Sequence, residues 1–270
     1  MIKNYFKTAW RSLWKNKTFS AINIFGLSVG IASFLLIVNY LRFEYSYDDA
    51  HKNKDRIFRV PMVISEKDGK EQTFAFTYPA VAPALKNDFP EIQEAVRFRR
   101  QGGIVTQGEQ KIVENGGIYY VDPAIFNVFS FRFTKGNAAT AFKELNDAVI
   151  TEESAKKYFG SIDPIGKPLR YNNEDYIVKA VLENIPANSH IQFNLLFNYN
   201  KYIQLTEGAA NTSWGWSDFY TYILLKPGTN VEKLQAKMPA FANRYMGDEM
   251  KKTGFQVGFN LQPLNIDGIS

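Results

Sequence analysis

The residue pattern predicts an α+β fold: an N-terminal interfacial helix, one transmembrane helix, then an α+β unit interrupted by a β-rich insert. Three observations carry this expectation. No charged residue occurs between Lys17 and Arg42, across AINIFGLSVGIASFLLIVNYL at Ala21–Leu41. The residues before that stretch place apolar side chains at helical spacing. Strand–helix–strand signals at residues 57–101 return at 219–261, with short glycine-punctuated strands between them.

In order along the chain, residues 1–17 come first. Ile2, Tyr5, Phe6, Ala9, Trp10, Leu13 and Trp14 recur at i, i+3, i+4 and i+7, while Lys3, Lys7, Arg11, Lys15 and Lys17 take the remaining positions. An aromatic apolar face and a cationic face next to a span predict a helix lying in the membrane interface. Tyr5, Phe6, Trp10, Trp14, Lys3, Lys7 and Arg11 are the candidate interface residues.

Residues 18–43 are the expected span. The 24 uncharged residues Thr18–Leu41 make a helix of about 36 Å, against about 30 Å of hydrocarbon. Twelve positions in Ala21–Leu41 are Ile, Leu, Val or Phe; at roughly 0.3–0.6 kcal/mol each they favour insertion by about 4–7 kcal/mol. The run is longer than a signal-peptide core and ends in NYLRFE, which is no A-x-A cleavage site, so an uncleaved anchor is expected. Gly26 and Gly30 form a G-x-x-x-G, the candidate helix-packing face.

The chain has 270 residues and a net charge of +5. The five basic residues before Thr18 account for all of that excess, so nucleic acid is not an expected partner. By the positive-inside rule they hold the N-terminus in the cytoplasm, and everything after about Phe43 lies outside it. No cysteine is present, which removes disulfides and thiol chemistry.

From Tyr45 onward, Ile57–Ile64 reads as a strand, with Pro61 marking an edge or bulge. Lys67-Asp68-Gly69-Lys70 reads as a hairpin turn before a strand at Gln72–Phe76. Thr77 is the expected cap of a helix over Tyr78–Phe89, with Pro79 in its first turn, Pro83 weakening it and Pro90 ending it. Ile92–Gln101 is the next strand. Ile104–Thr106, Lys111–Glu114 and Ile118–Val121 are expected as separate short strands, broken by Gly102-Gly103, Gly108 and Gly116-Gly117. The aromatics of Asp122–Phe133 are expected in the core. Thr151 caps a helix with Glu152 and Glu153 in its first turn and Gly160 at its end. Asp163–Lys167 is turn chemistry, and Tyr176–Leu182 a strand. Phe219–Leu225 is a strand, Asn230 caps a helix over Val231–Met246 that Pro239 interrupts, and Phe255–Leu261 closes the unit.

Catalytic chemistry is sparse. No P-loop motif occurs, and His51 and His190 belong to no metal-ligand cluster. Ser189-His190 are adjacent in sequence, which does not supply the reach or the third group of a catalytic pair; Asn184–His190 reads as a turn. Asp48-Asp49, Glu152-Glu153 and Asp248-Glu249 read as solvated. The chain is therefore expected to be no enzyme and to carry no cofactor. Trp214-Gly215-Trp216 is the remaining motif: Trp214 and Trp216 are candidate partner contacts, or a turn with Trp buried at a seam.

The opening NYFKTAWRSLWKNKTFSAINIFGLSVGIASFLLI resembles the start of MacB/FtsX-type ABC transporter permeases. YSYDDAHKNKDRIFRV, DPAIFNVFSFRFTKGN, VITEESAKKYFGSIDPIGKPL and VLENIPANSHIQFNLL resemble the MacB-like periplasmic core domain. The resemblance implies a porter-like subdomain in two segments, 44–103 and 216–270, around a sabre-like insert at 104–215. It implies a bacterial inner-membrane protein with its bulk in the periplasm. It also implies a homodimer or a related permease partner, a separate ATP-binding subunit, and an adaptor with an outer-membrane channel. Family permeases carry three further spans, so these residues correspond to the first part of one or to a truncated relative. A single-span anchored domain that binds or senses an envelope ligand is the alternative.

Overall fold

The structure, a computed structural model, describes residues 2–45, 51–66 and 68–264. The chain forms two compact units, Met1–Tyr47 and Asp48–Ser270. The first holds α1 (Ile2–Lys15) and α2 (Lys17–Tyr45), separated at Asn16. The large apolar side chains of α2 are exposed all round, Phe25 at 72% and Leu36 at 70%. No residue of Lys17–Arg42 is buried. A soluble core helix would be covered; this one is uncovered and is long and apolar enough to cross a membrane.

The second unit begins with a 3-10 turn at Lys54–Arg56, then β1 (Ile57–Arg59) and β2 (Met62–Ser65). The single strand expected over 57–64 is thus two. Proline has no N–H to give a ladder, and at Val60-Pro61 the chain leaves one sheet for another. Val60 N–H donates to Thr221 O, and Pro61 O accepts from Asn260 N–H. β3 (Glu71–Phe74) follows a turn in which Gly69 N–H donates to Glu66 O; Lys67 lies outside the described residues.

Helix α3 (Val81–Asp88) starts later than expected, and Thr77 does not cap it. The Thr77 hydroxyl instead meets Thr221 Oγ1 at 3.1 Å, and its backbone bridges Phe219. Pro83 then falls in the first turn, where its missing N–H costs nothing. β4 (Ile92–Gln107) and β5 (Gln110–Val121) correct a larger expectation: the short strands are two long ones, continuous through residue 103. A register shift between Gln101 and Gly103 absorbs the glycines as a bulge rather than a break. Gly116 and Gly117, at φ 124° and 82°, bend β5 opposite it.

The remaining elements are α4 (Ile125–Val128), β6 (Phe133–Lys135), α5 (Ala138–Ala141), β7 (Asp147–Thr151), α6 (Glu152–Phe159), β8 (Pro168–Tyr171) and β9 (Glu174–Leu182). They continue with β10 (Leu195–Asn198), α7 (Tyr199–Leu205), α8 (Ala209–Thr212), β11 (Tyr220–Leu225), α9 (Val231–Gln235), α10 (Met238–Thr253), β12 (Gln256–Phe259) and β13 (Gln262–Pro263). Two caps act as expected: Thr151 accepts from Ser154 N–H, and Asn230 from Lys233 N–H at 2.8 Å. Pro239 opens α10 after a break, and that helix runs on to Gly254 in the left-handed conformation.

The main sheet has the order β13-β1-β11-β4-β5-β10-β7-β9-β6, with β8 pairing both β4 and β9. Those last two pairings close β4, β5, β10, β7, β9 and β8 into a six-stranded ring. A closed ring leaves none of its strands with a bare edge. Its interior is packed with Tyr120, Tyr171, Tyr176 and Phe197, all buried. Tyr120 and Tyr176 hydroxyls pair at 2.7 Å, and Tyr171 OH donates to Gly102 O. A smaller sheet, β12-β2-β3, packs with α10. The Phe129 ring is buried and Phe126, Phe131 and Phe133 pack beside it, as expected for 122–133.

One face of the main sheet carries two apolar clusters, around α3 and α10 at one end and inside the ring at the other. Arg97 of β4 lies between them and is 6% exposed. Asp122 accepts from Arg97 Nε and Nη2, both at 2.8 Å. Arg97 Nη1 donates to Pro79 O, Ala210 O and Asn211 Oδ1, and the guanidinium lies 4.1 Å from the Tyr199 ring centre. Burial alone would favour the neutral form, but the Asp122 charge outweighs it and the guanidinium stays charged.

Asp122→Ala strands that charge, and we expect it to cost about 3–5 kcal/mol. Lys251→Ala, on an exposed pair with Asp248, should cost less than about 1 kcal/mol. Urea unfolding of the two variants in detergent measures the difference.

Candidate functional surfaces

The candidate residues lie on α1, on α2 and in the segment carrying Trp214 and Trp216. On α1, Tyr5, Trp10 and Trp14 are exposed, as are Lys7 and Arg11. Lys17 Nζ sits 5.0 Å from the Trp14 ring centre. The side chains of Lys3 and Phe6 lie outside the described residues. An open row of aromatics with ammonium groups beside it suits a headgroup layer, where ring and charge are each half solvated. On α2, a Cβ added at Gly26 or Gly30 would meet nothing within 4 Å, so this face is free to receive another helix.

Trp214 and Trp216 are both half-buried, and they face different clusters. Trp214 stacks on Tyr245 at 4.6 Å and 13°. Trp216 meets Phe219 edge-on at 4.8 Å, with the Arg99 guanidinium 5.5 Å from its ring. Trp214 also walls a groove of about 870 Å³ between α10 and the small sheet, with Phe74, Tyr78, Tyr245, Met250 and Phe255. Glu66, Asp248, Glu249 and Lys252 line it too, and the Glu249 charge adds to burial in raising the Tyr78 pKa.

Glu114 on β5 is a buried carboxylate that sequence reasoning missed. It accepts from Lys157 Nζ at 2.5 Å, from Tyr158 OH, and from Asn194 Nδ2 at 3.1 Å. Burial would raise its pKa, but the hydrogen bonds from Lys157, Tyr158 and Asn194 outweigh it and hold the carboxyl below its ordinary range. Alternation along the strand was the available signal, since Glu114 falls among apolar neighbours.

Ser189 and His190 sit in a turn: Ser189 N–H donates to Pro186 O, and Gln192 Nε2 to Pro186 O and Ser189 O. His51 is buried, its Nδ1 accepting from Ser130 N–H between the rings of Phe129 and Phe131. Asp48 and Asp49 lie outside the described residues. No group of three or more His, Cys, Asp or Glu suited to a metal occurs among the described residues.

A sequence profile of the MacB-like periplasmic core domain matches residues 20–241. The chain belongs to this family. The MacB-like core domain here is also similar to solved structures. A permease-protein domain from Porphyromonas gingivalis superposes with a TM-score of 0.68 at 24% identity, over 79% of this chain and 91% of that one. The periplasmic region of MacB from Actinobacillus actinomycetemcomitans gives 0.48 at 16% identity, over 73% and 87%. The extracellular domain of YknZ, an ABC-type transporter from Gram-positive bacteria, gives 0.49 at 13% identity, over 74% and 98%. No curated protein matches the sequence. The chain thus carries the MacB-like periplasmic core domain of ABC-type permeases behind one N-terminal apolar helix.

Because the Glu114 pKa is depressed in the folded state, its stabilisation is complete above the ordinary value of 4.5 and is lost as pH falls through and below it. Glu114→Gln should cost about 1–3 kcal/mol at neutral pH and flatten the loss of stability on acidification. Denaturant midpoints followed from neutral pH into the acid range report both.

Proposed function

We propose that this chain is the permease segment of a MacB/FtsX-type ABC transporter. A separate subunit hydrolyses ATP, and this chain carries the resulting motion to the periplasmic side, for efflux or mechanotransmission. The observation that carries the reading is the family match, which takes in most of a helix long and apolar enough to cross a membrane. The five basic residues ahead of the span support a cytoplasmic N-terminus in the inner membrane with the bulk periplasmic. In this reading the chain is not itself an enzyme; the ties of Glu114 to Lys157 and of Asp122 to Arg97, which serve the fold, support that.

A porter-like subdomain in two segments, 44–103 and 216–270, is supported by the α3 and α10 cluster, whose buried members come from residues 58–92 and 223–259. A sabre-like insert at 104–215 is supported by the ring cluster, whose members come from 105–219. The open glycine face of α2 suits packing against a second permease copy or a related one, and an adaptor with an outer-membrane channel would engage the periplasmic domain.

Protease added outside spheroplasts should digest nearly everything after the span; protection until lysis overturns the topology. Affinity purification of the protein from its full reading frame in detergent should recover an ATP-binding subunit, and repeated failure to recover one overturns the transporter assignment.

A further inference from the structure

The groove that Trp214 walls is left open by the way the small sheet is covered. Register sets Phe259, Met62 and Phe74 in one row across that sheet and Val257, Ile64 and Gln72 in the next. Strand alternation sends both rows to the face that packs with α10. In the first row Met62 and Phe259 are buried; in the second Ile64 and Val257 are half-buried and Gln72 is exposed. Phe255, beyond them, is 45% exposed. Cover therefore runs out along the sheet, and the space of about 870 Å³ that remains suits a small organic molecule.

Its aromatic wall is fixed in advance. The Tyr245 ring that stacks on Trp214 is backed by Phe241 at 5.0 Å, and Tyr245 OH donates to Asp88 at 3.1 Å. The Tyr78 ring lies 6.3 Å from that of Trp214. Three carboxylates, Glu66, Asp248 and Glu249, share the lining with one ammonium, Lys252, among the described residues. Asp248 meets Lys251 at 3.7 Å and Glu249 meets Lys252 at 4.0 Å, at exposed positions where such pairs hold little. The negative sign reaches the floor: after burial, the Glu249 charge is what raises the Tyr78 pKa. Aromatic faces attract an ammonium through their quadrupole, more strongly once water is displaced, and nearby carboxylates add to that attraction.

We propose that this groove binds a small organic cation, its apolar body against Trp214, Phe74 and Phe255 and its charge toward Tyr78 and Glu249. Both parts of the ligand are read. An anion is repelled, and a bare inorganic cation leaves the aromatic wall unfilled. Binding here requires neither an ATP-binding subunit nor transport.

Isothermal titration of the full 270-residue chain in maltoside micelles tests it, with benzyltrimethylammonium chloride as probe, fixed ionic strength and a protein-free micelle blank. The probe should saturate, and neutral benzyl alcohol should bind at least about tenfold more weakly. Glu66→Gln combined with Glu249→Gln should weaken the probe at least about tenfold, whereas Glu232→Gln, which removes an exposed charge from α9 outside the groove, should change it less than about twofold. Phe255→Ser, at an exposed position, should weaken it at least about threefold with no change of charge. Melting temperatures equal to the parent's show that the variants are folded. Equal binding of benzyl alcohol, binding unchanged in the double variant or in Phe255→Ser, or no binding of the probe overturns the proposal. Saturation by N-acetyl-Phe-Lys amide but not by benzyltrimethylammonium also overturns it, and assigns the groove to a basic peptide segment.

Discussion

The Arg97–Asp122 pair is the constraint around which the periplasmic unit is arranged. Two apolar clusters share one face of a continuous sheet, and something must separate them without letting water in. Arg97 does so with every guanidinium nitrogen engaged, reaching the segment before α3, the end of β5 and α8. Thr221, its cross-strand neighbour, continues the polar belt through Thr77. A pair of well-packed apolar residues would stabilise this position at least as well. What the fork adds is direction, because its acceptors lie on separate segments and only one arrangement satisfies them together.

The ring follows from the same strands. β8 is short, yet it pairs with β4 on one side and β9 on the other, and so converts an open sheet into a closed one. Closure demands large side chains inside, and tyrosine supplies them where a hydroxyl can reach a partner. Burial pushes the Tyr120 and Tyr158 hydroxyls far above their ordinary range and Tyr176 up to about 12, so these groups stay protonated donors at any physiological pH.

Much of this was legible because it is local. The span needs only an uncharged apolar run, and Thr151 and Asn230 need only the residues three positions on. What misled is non-local. Gly102-Gly103 and Gly116-Gly117 read as strand breaks, but each pair faces the other across a hairpin, and a shared bulge keeps both strands intact. Thr77 reads as a cap until Thr221, distant in sequence, takes its hydroxyl. The pairing of Arg97 with Asp122 and of Glu114 with Lys157 is hidden because each partner lies far along the chain. The Trp214 and Trp216 motif was visible, but its division between two clusters depends on Tyr245 and Phe219, which only the fold brings to it.

The continuity of β4 has a mechanical consequence. Its 16 residues extend about 50 Å at about 3.3 Å per residue. One end is hydrogen-bonded to β11 beside the α3 and α10 layer, the other to β8 at the ring. Hydrogen-bonded strands stretch little, so the separation of the two layers along β4 is set by one run of backbone, and the bulge at Gly102-Gly103 is a place where that run can bend.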